Sequence, residues 1–213
     1  MVGSACVGGV VRDADTGRSI QGAEVEFGDS LGRTGTTLTG ENETYEFDAS
    51  HGDSVPALGE VTFEVYAPGY ETLVEQRGVT DTTSLQDFAL TRCDAGDVAI
   101  ELTYVPPYGS LERLEGRVRC VVPSDFRVAV FIKVRGGWWT KPYSAQPLTP
   151  INADGTWECV ITTGGVDEEA TEIAALLVPN GYSPLLMSGQ SSLPAELAEK
   201  AVTEATAQRA PES

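Results

Sequence analysis

Gly8-Gly9-Val10-Val11-Arg12-Asp13, then Thr16-Gly17-Arg18-Ser19-Ile20-Gln21-Gly22-Ala23, then Gly40-Glu41-Asn42-Glu43-Thr44-Tyr45-Glu46-Phe47 alternate short apolar runs with glycine-bearing turns across the stretch Val7 to Phe47. Runs this short, rich in Val, Tyr and Phe and bounded by Gly, Asp and Asn, are strand signals, and their close spacing predicts a β-sandwich. Val7 to Arg12 forms a first strand. Ala23 to Phe27 forms a second, with Ala23, Val25 and Phe27 inward, and Arg33 to Thr39 a third. Asp15-Thr16-Gly17 supplies the first tight turn, since glycine reaches positive φ freely and an aspartate can hold turn amides.

Outward from this stretch the pattern continues. Thr44 to Phe47 is a short strand, His51 to Gly59 a polar loop, and Val61-Thr62-Phe63-Glu64-Val65-Tyr66 a strictly alternating strand. Ala67-Pro68-Gly69-Tyr70 turns the chain, and Glu71 to Gln76 with Leu85 to Leu90 completes a sandwich of about seven strands. The polar break Cys93-Asp94-Ala95-Gly96-Asp97 divides the chain into residues 1–94 and 95–213. In the second part Val98 to Thr103, Leu114 to Val122 and Arg127 to Val134 read as strands. The last of these has Val128, Val130, Ile132 and Val134 on one face, with Phe131 on the other, so that second face is expected to be partly covered too. Val166, Ala170, Ile173, Ala174 and Leu177 recur at helical spacing, although Ile173 to Val178 reads equally as a strand. A short helix is expected from Pro194 to Thr206, with residues Ala198 to Ser213 fraying. The expected class is mainly β: two consecutive β-sandwiches, the second with one or two short helices.

Composition excludes several functions. The 213 residues carry 32 acidic and 14 basic side chains, a formal charge of -18, so no basic stripe exists to hold a phosphate backbone. No apolar stretch approaches the roughly 20 residues that cross a bilayer, and no membrane insertion is expected. One histidine, His51, sits in a polar loop, and no Gly-x-Ser-x-Gly elbow is present, which leaves a serine-type triad without a base. Neither a metal-ligand spacing nor a nucleotide loop occurs, so no metal and no cofactor are expected, and the chain reads as non-catalytic.

Two groups of residues remain as candidates. Gly136-Gly137-Trp138-Trp139-Thr140-Lys141-Pro142-Tyr143 places three aromatic rings in a glycine- and proline-bounded loop, followed by Asn152-Ala153-Asp154-Gly155 and Trp157. Aromatic faces accept the C–H face of a sugar ring while amides and carboxylates take its hydroxyls, so Trp138, Trp139, Tyr143, Asn152 and Asp154 form a candidate polysaccharide site. The same tryptophans could instead fill a core, and of two adjacent aromatics in an extended segment one should face out. The four cysteines, two in each half, fit one disulfide per domain in an oxidising compartment, Cys6 with Cys93 and Cys120 with Cys159; buried free thiols are the other reading. Asn42-Glu43-Thr44 is a formal glycosylation acceptor.

Residues 5–92 resemble the carboxypeptidase regulatory-like domain, a transthyretin-like sandwich. The match rests on Gly9 and Val11, Asp13, Thr16-Gly17 and Ile20, Gly22-Ala23 with Val25, Thr36-Thr37 ahead of Gly40, Tyr45-Glu46-Phe47, and Ala67-Pro68-Gly69-Tyr70. It departs at Glu41-Asn42-Glu43, where the family has an Asp-Gly turn. Residues 100–201 resemble a poorly characterised module appended to secreted bacterial enzymes and surface proteins, through Gly136-Gly137-Trp138-Trp139-Thr140-Lys141-Pro142, Pro147-Leu148-Thr149-Pro150-Ile151, Asp154-Gly155-Thr156-Trp157, Thr163-Gly164-Gly165 with Asp167, and Leu177-Val178-Pro179. These resemblances imply a spacer, folding or docking role at the cell surface or outside the cell and no catalytic residue. The expected partners are polysaccharide or neighbouring surface-protein subunits, with a structural spacer or filament subunit as the alternative to glycan binding.

Overall fold

The computed structural model describes residues 6–81, 83–94 and 96–211. The chain separates into two compact units, Met1–Ala95 and Gly96–Ser213, and is mainly β, each unit a sandwich of two sheets. Ala95, at the expected break, and Glu212 and Ser213, at the end of the segment expected to fray, lie outside the described residues.

The first unit runs β1 (Cys6–Asp13), β2 (Glu24–Asp29), β3 (Thr34–Leu38), β4 (Thr44–Asp48), β5 (Gly59–Tyr66), β6 (Leu73–Val79), β7 (Thr83–Leu85) and β8 (Phe88–Leu90). One sheet has the order β3-β2-β5-β6. The other has β4-β1-β7, with β8 also paired to β1. Val25 and Phe27 of β2 and Val61, Phe63 and Val65 of β5 face Val7, Val11, Tyr45, Phe47 and Phe88 across the gap, so the period-two pattern fills a single core. Tyr45 carries a hydroxyl into that core, where it donates to the Gln86 carbonyl at 2.6 Å; burial pushes its pKa well up. β7 and β8 both run parallel to β1, pairing Cys6 with Thr83 and Asp13 with Leu90. Between them the Asp87 carboxylate accepts from the Val10 amide at 2.9 Å, which completes the ladder where the strand is interrupted.

The second unit runs β9 (Ala99–Tyr104), β10 (Leu114–Arg119), β11 (Phe126–Val134), β12 (Gly137–Lys141), β13 (Thr156–Cys159), β14 (Glu172–Pro179), β15 (Ser188–Gln190), α1 (Ala195–Lys200) and β16 (Thr203–Gln208). Its sheets have the orders β13-β10-β9 and β15-β12-β11-β14-β16. Val128, Val130 and Ile132 of β11 with Ile173, Ala175 and Leu177 of β14 pack against Leu114, Trp157 and Ile161 between the sheets. The opposite face of β11 and β14 is covered as well: Ala129, Phe131, Ala174, Leu176 and Val178 lie under Met187 and Leu197, the latter from α1.

Three expectations are corrected, and one left open is decided. The aromatic segment is not a loop: Gly137–Lys141 is a strand held between β11 and β15. Of the two periods readable over residues 166–178, the strand wins at β14, and only Asp167–Glu169 makes a single 3-10 turn, because β14 pairs on both sides and buries both faces. The tail expected to fray is instead β16, whose alternating burial docks Ala205 and Ala207 on the core. Lastly, Cys93 and Cys120 are the disulfide-bonded cysteines, while Cys6 and Cys159 carry free thiols. The strand directions explain this. Because β8 runs parallel to β1, the last strand ends beside Asp13, and Cys6 at the start of β1 lies ~23 Å away at about 3.3 Å per residue. Cys159 pairs with Leu114 in the register, so Cys120 beyond the far end of β10 is ~20 Å along the sheet. A disulfide requires Cα atoms within about 7 Å.

Candidate functional site

The buried charges of the first unit are committed to its turns. Asp13, at the end of β1, accepts from the amides of Asp15 at 3.1 Å and Thr16 at 2.8 Å. Its second oxygen accepts from the Tyr70 hydroxyl at 3.0 Å and the Arg92 guanidinium at 2.7 Å. Arg92 also stacks on the Tyr70 ring. The Thr16 amide, then Arg92, hold the Asp13 carboxyl well below the usual carboxylate range. Asp13 thus joins the turn opened by Thr16-Gly17, where Gly17 takes φ +69, to the turn carrying Tyr70. Asp29 does the same at the end of β2, accepting from the amides of Leu31, Arg33 and Ala57 and from the Arg33 side chain. Burial raises its pKa, but those four donors outweigh it and bring it to about 2. Asp13 and Tyr70 belong to the quoted motifs; Arg92 and Asp29 have no signal in the sequence.

In the second unit the expected site residues separate. Trp138 and Trp139 point to opposite faces of β12. Trp138, 8% exposed, joins the covered outer face beside Phe131 and Met187, and Trp139, 41% exposed, faces the other way. Tyr143, beyond the cis Lys141–Pro142 bond, is 54% exposed. Asn152 and Asp154 belong to the turn entering β13: Asp154 accepts from the amide and hydroxyl of Thr156, and the Asn152 side-chain amide donates to the same hydroxyl. They close that turn and are not among the residues that line the cleft beside Trp139. Trp157 is a core residue, its indole lying against Gly116, where an added Cβ would meet the ring at 2.2 Å.

The feature that the sequence reading misses is the cleft beside Trp139. It has a volume of about 430 Å³, with Trp139, Val134 and Val166 as its apolar wall and Lys141, Thr163 and Asp167 as its polar floor. Lys141 is two residues from Trp139 on the same face of β12, paired with Val130 of the core, and is 4% exposed. Its ammonium donates to the Thr163 hydroxyl at 2.9 Å and to Asp167 Oδ2. That oxygen also accepts from the amides of Thr163 at 2.8 Å and Gly164 at 3.1 Å. Both Lys141 and Asp167 lie inside quoted motifs, but nothing in their spacing announces a pair, because β12 and the 3-10 turn meet only through the tertiary fold.

The free thiols are poor nucleophiles. Cys6 donates to Glu46 at 2.8 Å, and that bond, burial and the neighbouring negative charge push its pKa to about 11. Burial pushes the Cys159 thiol up to about 11 as well. Among the described residues no group of three His, Cys, Asp or Glu side chains is placed to hold a metal, and no helix is long and apolar enough to cross a membrane.

No family model and no curated protein matches the sequence. Solved structures similar to it include the tetra-tandem repeat in the extending region of a large adhesion protein (14% identity, 96% of this chain and 48% of that one, TM-score 0.25). Others are the streptococcal ancillary pilin (15%, 91% and 60%, 0.33) and the major pilin subunit of Bacillus cereus (9%, 84% and 64%, 0.33). The chain spans less than two thirds of the length of each. Likeness at this level fixes neither family nor function.

Proposed function

We propose that the chain is a non-catalytic structural part of a cell-surface assembly, its first unit a transthyretin-like spacer domain of the carboxypeptidase regulatory-like kind. The observation that carries this reading is how the buried charge is spent. The buried carboxylates of Asp13 and Asp29 accept from turn amides, from the Tyr70 hydroxyl and from Arg92 and Arg33, so their ionic groups hold architecture together. Disulfide-bonded Cys93 and Cys120 support an oxidising, extracellular setting. Antibody labelling of unpermeabilised source cells should find the chain at the surface, in material that sediments faster than a monomer. Labelling only after permeabilisation, or recovery as a free monomer, refutes it.

A second reading, glycan contact by the second unit, is favoured by the exposed rings of Trp139 and Tyr143. An array of immobilised polysaccharides should retain the intact protein and lose the Trp139→Ala variant. Failure of every polysaccharide to retain the intact protein removes this reading and leaves the structural one standing.

A further inference from the structure

We infer that the cleft beside Trp139 is the binding site for one ring of a neutral saccharide, an inference that rests on the glycan reading and relocates its site. Lys141 has three N–H donors, of which two are used, by Asp167 and Thr163. Every bond to Asp167 found among the described residues goes to Oδ2, and Oδ1 accepts none. The floor therefore presents one spare N–H donor and one spare carboxylate acceptor side by side, on side chains that are 5% and 12% exposed, the carboxylate held by the Thr163 and Gly164 amides.

The chemistry of that floor selects its ligand. Lysine and aspartate cancel in charge, and Arg135, which also lines the cleft, is paired with Glu169 at 3.3 Å, so an anion gains a cation and meets a carboxylate, and a cation fares no better. A pair of neighbouring hydroxyls, each both donor and acceptor, satisfies the two groups together. Trp139 supplies the flat apolar wall that the C–H face of a pyranose requires. The volume falls within the range of small-ligand pockets. The chain's net charge of -18 repels polyanionic glycans before any contact forms, which favours neutral ones. A buried ion pair adds little stability over well-packed apolar side chains. One left half-satisfied at the floor of an open cleft is therefore better explained by a ligand.

The test uses the full chain and an array of neutral and anionic oligosaccharides, followed by titration of the tightest binder into ¹⁵N-labelled protein. Expected are a neutral ligand, shifts of the Trp139 indole N–H together with the Thr163 and Gly165 amides, and no shift at Asn152 or Asp154. Val166→Phe, which fills the cleft and leaves Trp139 in place, should weaken binding at least tenfold, and Tyr143→Ala less than twofold. Binding that survives Val166→Phe with shifts centred on Tyr143 overturns the cleft and keeps the glycan reading. A preference for anionic ligands overturns the neutral assignment. No binding to any oligosaccharide overturns both. The wild-type shift map decides the matter even if Val166→Phe does not fold.

Discussion

Gly116→Ala should cost the second unit about 3 kcal/mol, at the upper end of the range for overpacking a core. Gly116 lies directly opposite Trp157 in the β10–β13 pair, and the indole folds back across it. A methyl there would lie 2.2 Å from Cζ2 and 2.4 Å from Cε2 of the ring, and 2.5 Å from the Glu101 carbonyl of β9. Ordinary carbon contacts are about 3.6 Å, so the ring would have to retreat about 1.4 Å. It cannot do so freely, being 2% exposed and packed among Leu114, Ile161 and Ile173, while the carbonyl belongs to a paired strand. All three tryptophans, Trp138, Trp139 and Trp157, lie in the second unit, so indole fluorescence during urea unfolding of the full chain reports that unit alone. In a Trp157→Leu background the ring is gone but the Glu101 carbonyl contact remains, so the same Gly116→Ala change should cost about 2 kcal/mol, giving a coupling of about 1 kcal/mol. A Gly116→Ala midpoint within about 0.5 kcal/mol of wild type, or an undiminished cost without the indole, refutes the packing argument.

The remaining predictions concern thiols and pH. Alkylation of unreduced protein should leave Cys159 untouched until the chain unfolds, modify Cys6 slowly, and reach Cys93 and Cys120 only after reduction. Any peptide linking Cys6 to Cys93 or Cys120 to Cys159 contradicts the strand geometry. Asp13 and Asp29 have folded pKa values depressed below the unfolded value of about 3.9, so their stabilisation is full above pH ~4 and is lost as pH falls toward 2. Denaturant midpoints of the first unit, measured by amide exchange at pH 5, 3.5 and 2.5, should fall in that order, and Asp13→Asn should flatten the fall. A flat profile for the wild type, or an equal slope in the variant, would contradict the assignment.

Much of the fold is legible in the chain because its strands obey period two. Val25 and Phe27, or Val61, Phe63 and Val65, declare their inward face without help from tertiary structure. Phe131 on the second face of β11 correctly signals the outer layer built from Met187 and Leu197. What is not legible depends on strand direction and on pairing distant in sequence. Nothing local shows that β8 runs parallel to β1, and that direction alone separates Cys6 from Cys93. Thr203–Gln208, rich in Ala, Thr and Gln, has weak propensity and becomes a strand because β14 offers it a free edge. At the candidate site, the rule that adjacent aromatics split between faces puts one ring outward, and the fold makes it Trp139. The glycine and proline around it disguise a strand as a loop, and nothing local shows that the fold buries Lys141 against Asp167.

A structural role requires that the native chain be part of an assembly at the cell surface. Chemical cross-linking of intact source cells, followed by mass spectrometry of the peptides joined to this chain, measures that directly. The account predicts links from surface residues of this chain to other surface-protein subunits or to further copies of itself, in material far larger than one chain. Links confined to the chain itself, from particles of monomer size, would contradict it.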